Sequence, residues 1–254
     1  MPFDRNCAAN VKCKTDQIMP TFWTRARLKT ITTEIRGASA WTPVDQWSLD
    51  HLFTDNGDGS RTLWLHDISH KGLAGGSIEL PKVTLGGLPL PNRIDRDGDM
   101  IAPLIRFRLA TVWTDTGGQI DVNYATPDCT QSNLPTPGKS TRRCYPVKWS
   151  PLGSGDPITD WFHKYVVDLV VETDRTGGSP DMVTKYQYLD GAAWRHAEPD
   201  GIGDTKDDTW SDWRGYGKVV VTARATARHR PPRPSTTTCA ACTETRTPTA
   251  VRAP

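Results

Sequence analysis

Cys239 and Cys242 have the C-x-x-C spacing found in zinc sites and thiol redox centres. A structural zinc site needs a second pair of ligands, and only His229 lies nearby in the sequence. A redox pair would begin a helix in a βαβ setting, and no such pattern surrounds these two residues. The spacing therefore predicts neither a metal site nor a redox centre, and we expect the chain to use no cofactor.

Two acidic stretches that contain glycine are similar to calcium-binding loops: residues 55–59 (Asp-Asn-Gly-Asp-Gly) and residues 95–99 (Asp-Arg-Asp-Gly-Asp). The EF-hand spacing places Gly at the sixth position and a bidentate Glu at the end. Met100 occupies the sixth position counted from Asp95, so the calcium pattern fails. Because Asp and Gly also favour tight turns, both stretches are predicted to be turns.

His163 lies close in sequence to Asp160 and Asp168, and a His-Asp pair could act in acid-base catalysis. A hydrolase would also need a nucleophile, and no motif such as G-x-S-x-G is present. His163 has aromatic neighbours, which favour a packed histidine. We therefore predict no catalytic residues and a protein that is not an enzyme.

Three tryptophans, Trp194, Trp210 and Trp213, fall in an acidic stretch that is predicted to be a loop over residues 190–215. Indole rings can stack on sugars, and they can equally fill the wall of a sheet. A carbohydrate-binding β module that uses this loop is therefore the alternative function to test.

The six cysteines come as three local pairs, which suit small disulfide loops and an oxidising compartment. Cys129 and Cys144 bracket a stretch rich in Pro, Gly and Ser. Closing a loop of about 15 residues stabilises a fold by ~3 kcal/mol. We expect these two cysteines to form a disulfide in an exported protein.

The side chains considered above have to be held by regular secondary structure. Apolar and polar residues alternate in two stretches, 105–124 and 165–188. Each has an acidic-Thr-Gly-Gly or acidic-Arg-Thr-Gly-Gly turn and a return strand that ends in Tyr. Alternation with period two indicates β-strands, and paired glycines suit hairpin turns. The sequence therefore predicts an all-β fold: an array of antiparallel hairpins in one continuous curved sheet, with long loops and little helix.

The formal net charge of +2 is too small to indicate a nucleic-acid partner or an anionic membrane surface. No stretch approaches the ~20 apolar residues of a membrane-spanning helix. The first 20 residues form a polar leader without the basic and apolar regions of a secretory signal. Residues 21–221 are the predicted hairpin segment.

Several sequence blocks resemble large actinobacterial RHS/YD-repeat proteins, in the region that precedes the YD repeats. The blocks are Met19–Arg25, Leu90–Asp95, Arg143–Trp149, Pro157–Val167, Glu172–Gly178 and Trp213–Gly217. Proteins of this family are secreted or surface-bound polymorphic toxins, whose hairpin repeats wind into a hollow shell around a C-terminal toxin domain. The resemblance implies a structural shell segment, with the rest of the shell and an encapsulated toxin domain as partners. It supplies no catalytic residues, and a secreted or cell-surface location follows for the parent protein.

The composition changes at residue 222, and residues 222–254 are dominated by Ala, Arg, Pro and Thr. A segment without larger apolar residues cannot offset its ordering entropy, so we predict a disordered basic tail. The tail is either a genuine linker or the product of a frameshift. We favour a frameshift, because the change falls inside an apparent strand. Translating the DNA beyond the Val221 codon in the other two frames separates the two hypotheses.

Overall fold

The computed structural model describes residues 7–14, 26–151, 156–198, 205–226 and 235–237. Within these ranges the chain forms strands and two short 3-10 helices, Gln131–Asn133 and Thr205–Asp207. The strands are β1 (Thr30–Arg36), β2 (Trp41–Asp55), β3 (Arg61–Gly72), β4 (Ile78–Glu79), β5 (Val83–Pro91), β6 (Ile105–Trp113), β7 (Gly118–Tyr124), β8 (Cys144–Trp149), β9 (Ile158–His163), β10 (Val167–Asp174), β11 (Met182–Arg195), β12 (Asp212–Ala225) and β13 (Ser235–Thr237). In the described part of the chain, no helix is long and apolar enough to cross a membrane.

Eleven strands form one antiparallel sheet in which neighbours along the chain are mostly neighbours in space. The order is β1-β2-β3-β5-β6-β7-β10-β11-β12-β13, and β4 pairs with β3. The hairpins β6–β7 and β10–β11 lie side by side, because β7 pairs with β10. The predictions of an all-β antiparallel fold and of these two hairpins in the same sheet are confirmed.

The expectation of a single sheet is wrong in one place. β8 and β9 form a separate two-stranded sheet within the stretch between the two hairpins. The sequence of β8, Cys-Tyr-Pro-Val-Lys-Trp, is short and contains a proline, so its alternation is hard to distinguish from the surrounding loop.

Residues 86–98 contain Gly86, Gly87, Pro89 and Pro91 and are therefore predicted to be a loop, but this prediction is wrong at its start, because β5 continues to Pro91. Gly87 explains how this strand fits beside β6. A Cβ atom at Gly87 would lie 2.4 Å from Cδ1 of Phe107 and 3.1 Å from Cζ2 of Trp64. The glycine that suggested a loop therefore lets two aromatic rings approach the backbone of a strand.

The boundary placed at Val221 is wrong by four residues, because β12 runs to Ala225 and stays paired with β11 down to Met182. Ser235–Thr237 then pair with Val219–Val221, so this piece of the predicted disordered tail is a strand. Residues 227–234 and 238–254 of the tail, including Cys239 and Cys242, lie outside the described residues.

The tips of the two predicted hairpins contact each other. The backbone N–H of Arg175 donates to the carbonyl oxygen of Gly117 over 3.0 Å, and its Nε donates to Oε1 of Gln119 over 2.8 Å. Within the second turn, the Asp174 carboxylate accepts hydrogen bonds from the hydroxyl and N–H of Thr176 and from the N–H groups of Gly178 and Ser179. These bonds hold the pKa of Asp174 far below its ordinary value, and the Thr176 hydroxyl contributes most.

Replacement of Asp174 by Ala should lower the thermal midpoint of unfolding, since it removes four hydrogen bonds from one turn. Because the folded-state pKa is depressed, this stabilisation is complete above the unfolded pKa of about 3.9 and is lost as the pH falls towards the folded value. Calorimetry at pH 7 and in strong acid should therefore show a difference from the parent chain only at pH 7. Asp115→Ala in the first turn is the matched control, because Asp115 makes no side-chain hydrogen bond among the described residues; an equal effect of both variants would contradict the prediction.

Within the described ranges, no second layer packs on most of the large sheet. Its strands expose large apolar side chains by between 41% and 64%: Ile31, Ile35, Trp41, Phe53, Leu63, Trp113 and Met182. Buried apolar residues are few in the described part of the chain: Ile94, Cys129, Cys144, Trp161, Phe162, Ala192 and Tyr216. Cys144, Trp161 and Phe162 lie on the β8–β9 hairpin and Ile94 and Cys129 pack in the same cluster, while Ala192 and Tyr216 are paired on β11 and β12. Most of the core therefore sits at that hairpin.

Candidate functional site

The β8–β9 hairpin and the segment after β5 assemble the one buried centre of the described chain, which we call the hub. The backbone of residues 92–94 lines the free edge of β9: Ile94 N–H donates to Trp161 over 2.8 Å, and His163 N–H donates to Asn92 over 2.7 Å. Arg93 forms a bridge with Phe162. Ile94, Trp161 and the sulfur atoms of Cys129 and Cys144 pack together beneath this backbone. The hub therefore joins chain segments that are far apart in the sequence.

Arg93 lies at the centre of the hub with a side chain that has no exposed surface. Its Nε donates to Asp160 and its Nη2 to Asp99, while Nη1 donates to Oδ1 of Asp95 (3.0 Å) and to the carbonyl oxygen of Ile101 (2.9 Å). Burial lowers the pKa of Arg93, but hydrogen bonds and charge from Asp160 and Asp99 outweigh it, so the net pKa is raised. The guanidinium is fully charged and bound on each nitrogen.

The acidic loop 95–99, whose residues suggested calcium, folds around this guanidinium. Asp99 also accepts the backbone N–H of Ile101 over 2.9 Å, and that bond, followed by the Arg93 side chain, lowers the pKa of Asp99. Two of the three carboxylates of the loop thus bind a positive group that belongs to the chain itself. Among the described residues, no cluster of three or more His, Cys, Asp or Glu side chains could hold a metal ion.

The structure joins Cys129 and Cys144 in a disulfide, with 6.3 Å between their Cα atoms. Cys144 is completely buried and Cys129 is almost so. The Asp128 carboxylate accepts the N–H of Arg143 over 2.9 Å, directly beside the disulfide. The bond therefore ties the start of the loop 126–143 to the first residue of β8. A second disulfide joins Cys7 and Cys13.

The prediction that all three tryptophans lie in a loop over 190–215 is wrong. Trp194 is on β11 and Trp213 is its cross-strand partner on β12, while Trp210 lies in the connection. β11 continues through a bulge in which Asp190 and Gly191 both have positive φ, so the Asp-Gly pair marks an irregularity inside the strand and not its end.

The rings of these tryptophans pack on other groups of the hub. The ring centroid of Trp194 lies 4.8 Å from that of Trp213 and 5.0 Å from that of Tyr145, and its Nε1 donates to the carbonyl oxygen of Arg142 over 2.8 Å. Trp210 lies against Gly138, where an added Cβ would come within 2.8 Å of its Cε2 atom. Each of the three rings thus packs on neighbouring groups of the chain.

His163 and Asp160 do not form a pair. Three positions apart on one strand, they point to opposite faces, and Asp160 is bound by Arg93 and by the N–H of Trp161 over 2.9 Å. His163 is 9% exposed, and its Nδ1 has no hydrogen-bond partner among the described residues. Burial lowers the pKa of His163, with a smaller opposing effect from Asp128. Its surroundings are those of a neutral, packed histidine.

We expect acid to destabilise the protein through His163. The pKa of His163 is lower in the folded state than in the unfolded state, where it is about 6.5. The folded protein therefore has its full stability above pH 6.5 and loses stability as the pH falls from there towards the folded-state pKa. One proton adds at most about 1.4 kcal/mol per pH unit to this loss. Urea unfolding should show that the free energy of unfolding of His163→Phe falls less steeply between pH 7 and pH 5 than that of the parent chain. The exposed control His196→Phe should follow the parent chain. The same pH dependence in all three proteins would refute the assignment.

Sequence reasoning missed Arg93 as the organising residue of the hub. Asp160 stands 67 positions away in the chain, and a local pattern carries no signal for such a pair. The one hint is a positive residue two positions before an acidic loop.

Comparison of the chain with protein-family models, with curated proteins and with solved structures finds no match to any of them. The similarity to RHS/YD-repeat proteins stays a prediction.

Proposed function

We propose that the chain is a non-catalytic structural segment of a large secreted RHS-type toxin, in which it forms part of the β shell. The observation that carries this proposal is the uncovered sheet. Ile120 and Val122 on β7 and Val170 on β10 lie in the middle of the strand order, yet each remains only half-buried. A free-standing domain would pack a second layer on such a surface. A wall segment would instead receive its neighbours from the rest of the shell and from the enclosed toxin domain.

The chemistry of the hub supports a structural role. The Arg93 guanidinium and the carboxylates of Asp160 and Asp99 satisfy one another, and the disulfide is buried. Groups held in this way fix the position of a hairpin; they do not approach a substrate. The contact between Arg175 and Gly117 supports the same role, since it fixes neighbouring turns side by side along the rim of the sheet.

The experiment that tests the proposal is translation of the DNA on both sides of the coding region in all frames. We expect further hairpins with Gly turns and strands that end in Tyr, together with an export signal upstream. If neither flank encodes such hairpins, the shell proposal is wrong.

The carbohydrate alternative is tested on the protein itself with a glycan array. Binding that Trp210→Ala abolishes, and that Trp113→Ala on β6 leaves intact, would replace the shell proposal by a sugar-binding one. We expect no binding above background for either variant or for the parent chain, because the tryptophan rings of the hub already pack on other side chains.

A further inference from the structure

The two outer edges of the large sheet differ. At one edge, β13 pairs with residues 219–221 of β12. At the other edge, β1 pairs with β2 alone among the residues that the structure describes, and every one of its seven residues is exposed. Unpaired edge strands are usually blunted by Pro, by Lys or by a covering segment, because their free N–H and C=O groups template further pairing. β1 contains neither Pro nor Lys, and its first four residues are uncharged and β-branched.

We propose that β1 is an association surface that pairs with β1 of a second copy of the chain, in antiparallel orientation and centred on Thr33. The sequence of the strand, Thr-Ile-Thr-Thr-Glu-Ile-Arg, is complementary to itself in this register. Ile31 faces Ile35 of the other copy, Thr32 faces Glu34, and Thr30 faces Arg36. Apolar residues then meet apolar residues, and no like charges stand opposite each other.

Neighbouring registers lack this complementarity. A centre on Glu34 places two Glu34 carboxylates opposite each other, and a centre on Thr32 places Ile35 against Lys29. A register centred between two residues would pair neighbouring residues of the strand, whose side chains point to opposite faces. The sheet of one copy would then be turned over relative to the sheet of the other. The centre on Thr33 keeps Ile31 and Ile35 on the face that also carries Trp47, the partner of Ile31 on β2. The apolar face thus runs continuously from one copy into the other.

The first test is sedimentation velocity over a range of protein concentrations. The parent chain should form a concentration-dependent dimer, and Ile31→Lys/Ile35→Lys, which sets Lys against Lys at both pairs, should weaken it about tenfold or more. Ile78→Lys/Met100→Lys is the matched control, because Ile78 and Met100 are 71% and 99% exposed and the change of charge is the same. A parent chain that stays monomeric, or equal weakening by both double variants, overturns the proposal; the latter result would indicate association through other apolar surface.

The second test fixes the register by cross-linking. Paired residues in antiparallel strands have Cα atoms about 4.5–5.5 Å apart, within the range of a disulfide. Thr33→Cys should therefore give a covalent dimer under mild oxidation. Ile31→Cys alone should not, since its two copies stand four residues apart, about 13 Å along the strands. A mixture of Ile31→Cys and Ile35→Cys should cross-link as a heterodimer, and efficient cross-linking of Ile31→Cys by itself would overturn the register.

Discussion

The Arg93→Met variant is expected to lose about 3–5 kcal/mol of its free energy of unfolding, because removal of one partner from a buried ion pair leaves the other charge buried and unpaired. Asp160 has no exposed surface, so its carboxylate would lose its positive partner without gaining water. Domains of ordinary stability unfold with only 5–15 kcal/mol. Loss of one guanidinium should therefore remove a large part of the stability, and urea denaturation at pH 7 measures it.

Two further variants make this expectation specific. Arg195→Met removes an arginine that is 41% exposed and pairs with Asp212 and Glu198. Exposed ion pairs contribute little to stability, so this variant should stay close to the parent chain. In Arg93→Met/Asp160→Asn the abandoned charge is also removed, and this double variant should be more stable than Arg93→Met alone. If Arg93→Met and Arg195→Met shift the urea midpoint equally, Arg93 does not organise the hub.

Removal of the hub disulfide is the second large effect that we expect. Cys129→Ala/Cys144→Ala should cost about 3 kcal/mol, the value for a loop of 15 residues, because the unfolded chain gains the freedom that the bond denies it. Alanine keeps the site apolar, so no new polar group is buried. Urea denaturation of the double variant against the parent chain measures the loss.

The other disulfide supplies the control. Cys7→Ala/Cys13→Ala opens a loop of sequence separation 6, which lies outside every strand of the sheet. This double variant should leave the urea midpoint of the main unfolding transition almost unchanged. Mass spectrometry of the oxidised protein should find the peptide pair linked through Cys129 and Cys144. Both thiols free in that protein, or equal losses from the two double variants, would contradict the assignment.

The strands of the large sheet could be predicted from the sequence where alternation is long and turns are rich in glycine, as in residues 105–124 and 165–188. Such signals are local, because a strand and its hairpin partner adjoin in the chain. The hub could not be predicted in this way. Its central pair, Arg93 and Asp160, depends on a distant strand that comes to lie beside residues 92–94.

Glycine residues inside strands account for the remaining errors of the sequence-based prediction. Gly87 and the Asp190-Gly191 pair have the composition of turns, yet both lie within strands. Gly87 accommodates the ring of Phe107, and Asp190-Gly191 form a bulge in β11. A glycine inside a strand can thus mean close approach or a bulge as readily as a turn, and only the tertiary neighbours decide between them.

The point at which the chain leaves the large sheet for the β8–β9 hairpin is also the point at which it returns. Ala125 follows β7, Val166 precedes β10, and the N–H of Ala125 donates to the carbonyl oxygen of Val166 over 2.9 Å. The backbone hydrogen bonds between β7 and β10 therefore involve no residue of the segment between Ala125 and Val166. In evolutionary terms this is an insertion point: residues 126–165, which carry most of the hub, leave and re-enter the sheet between two paired strands, so their presence does not alter the strand order. In engineering terms, it is the position in this sheet at which a foreign domain can be grafted with both of its ends already side by side.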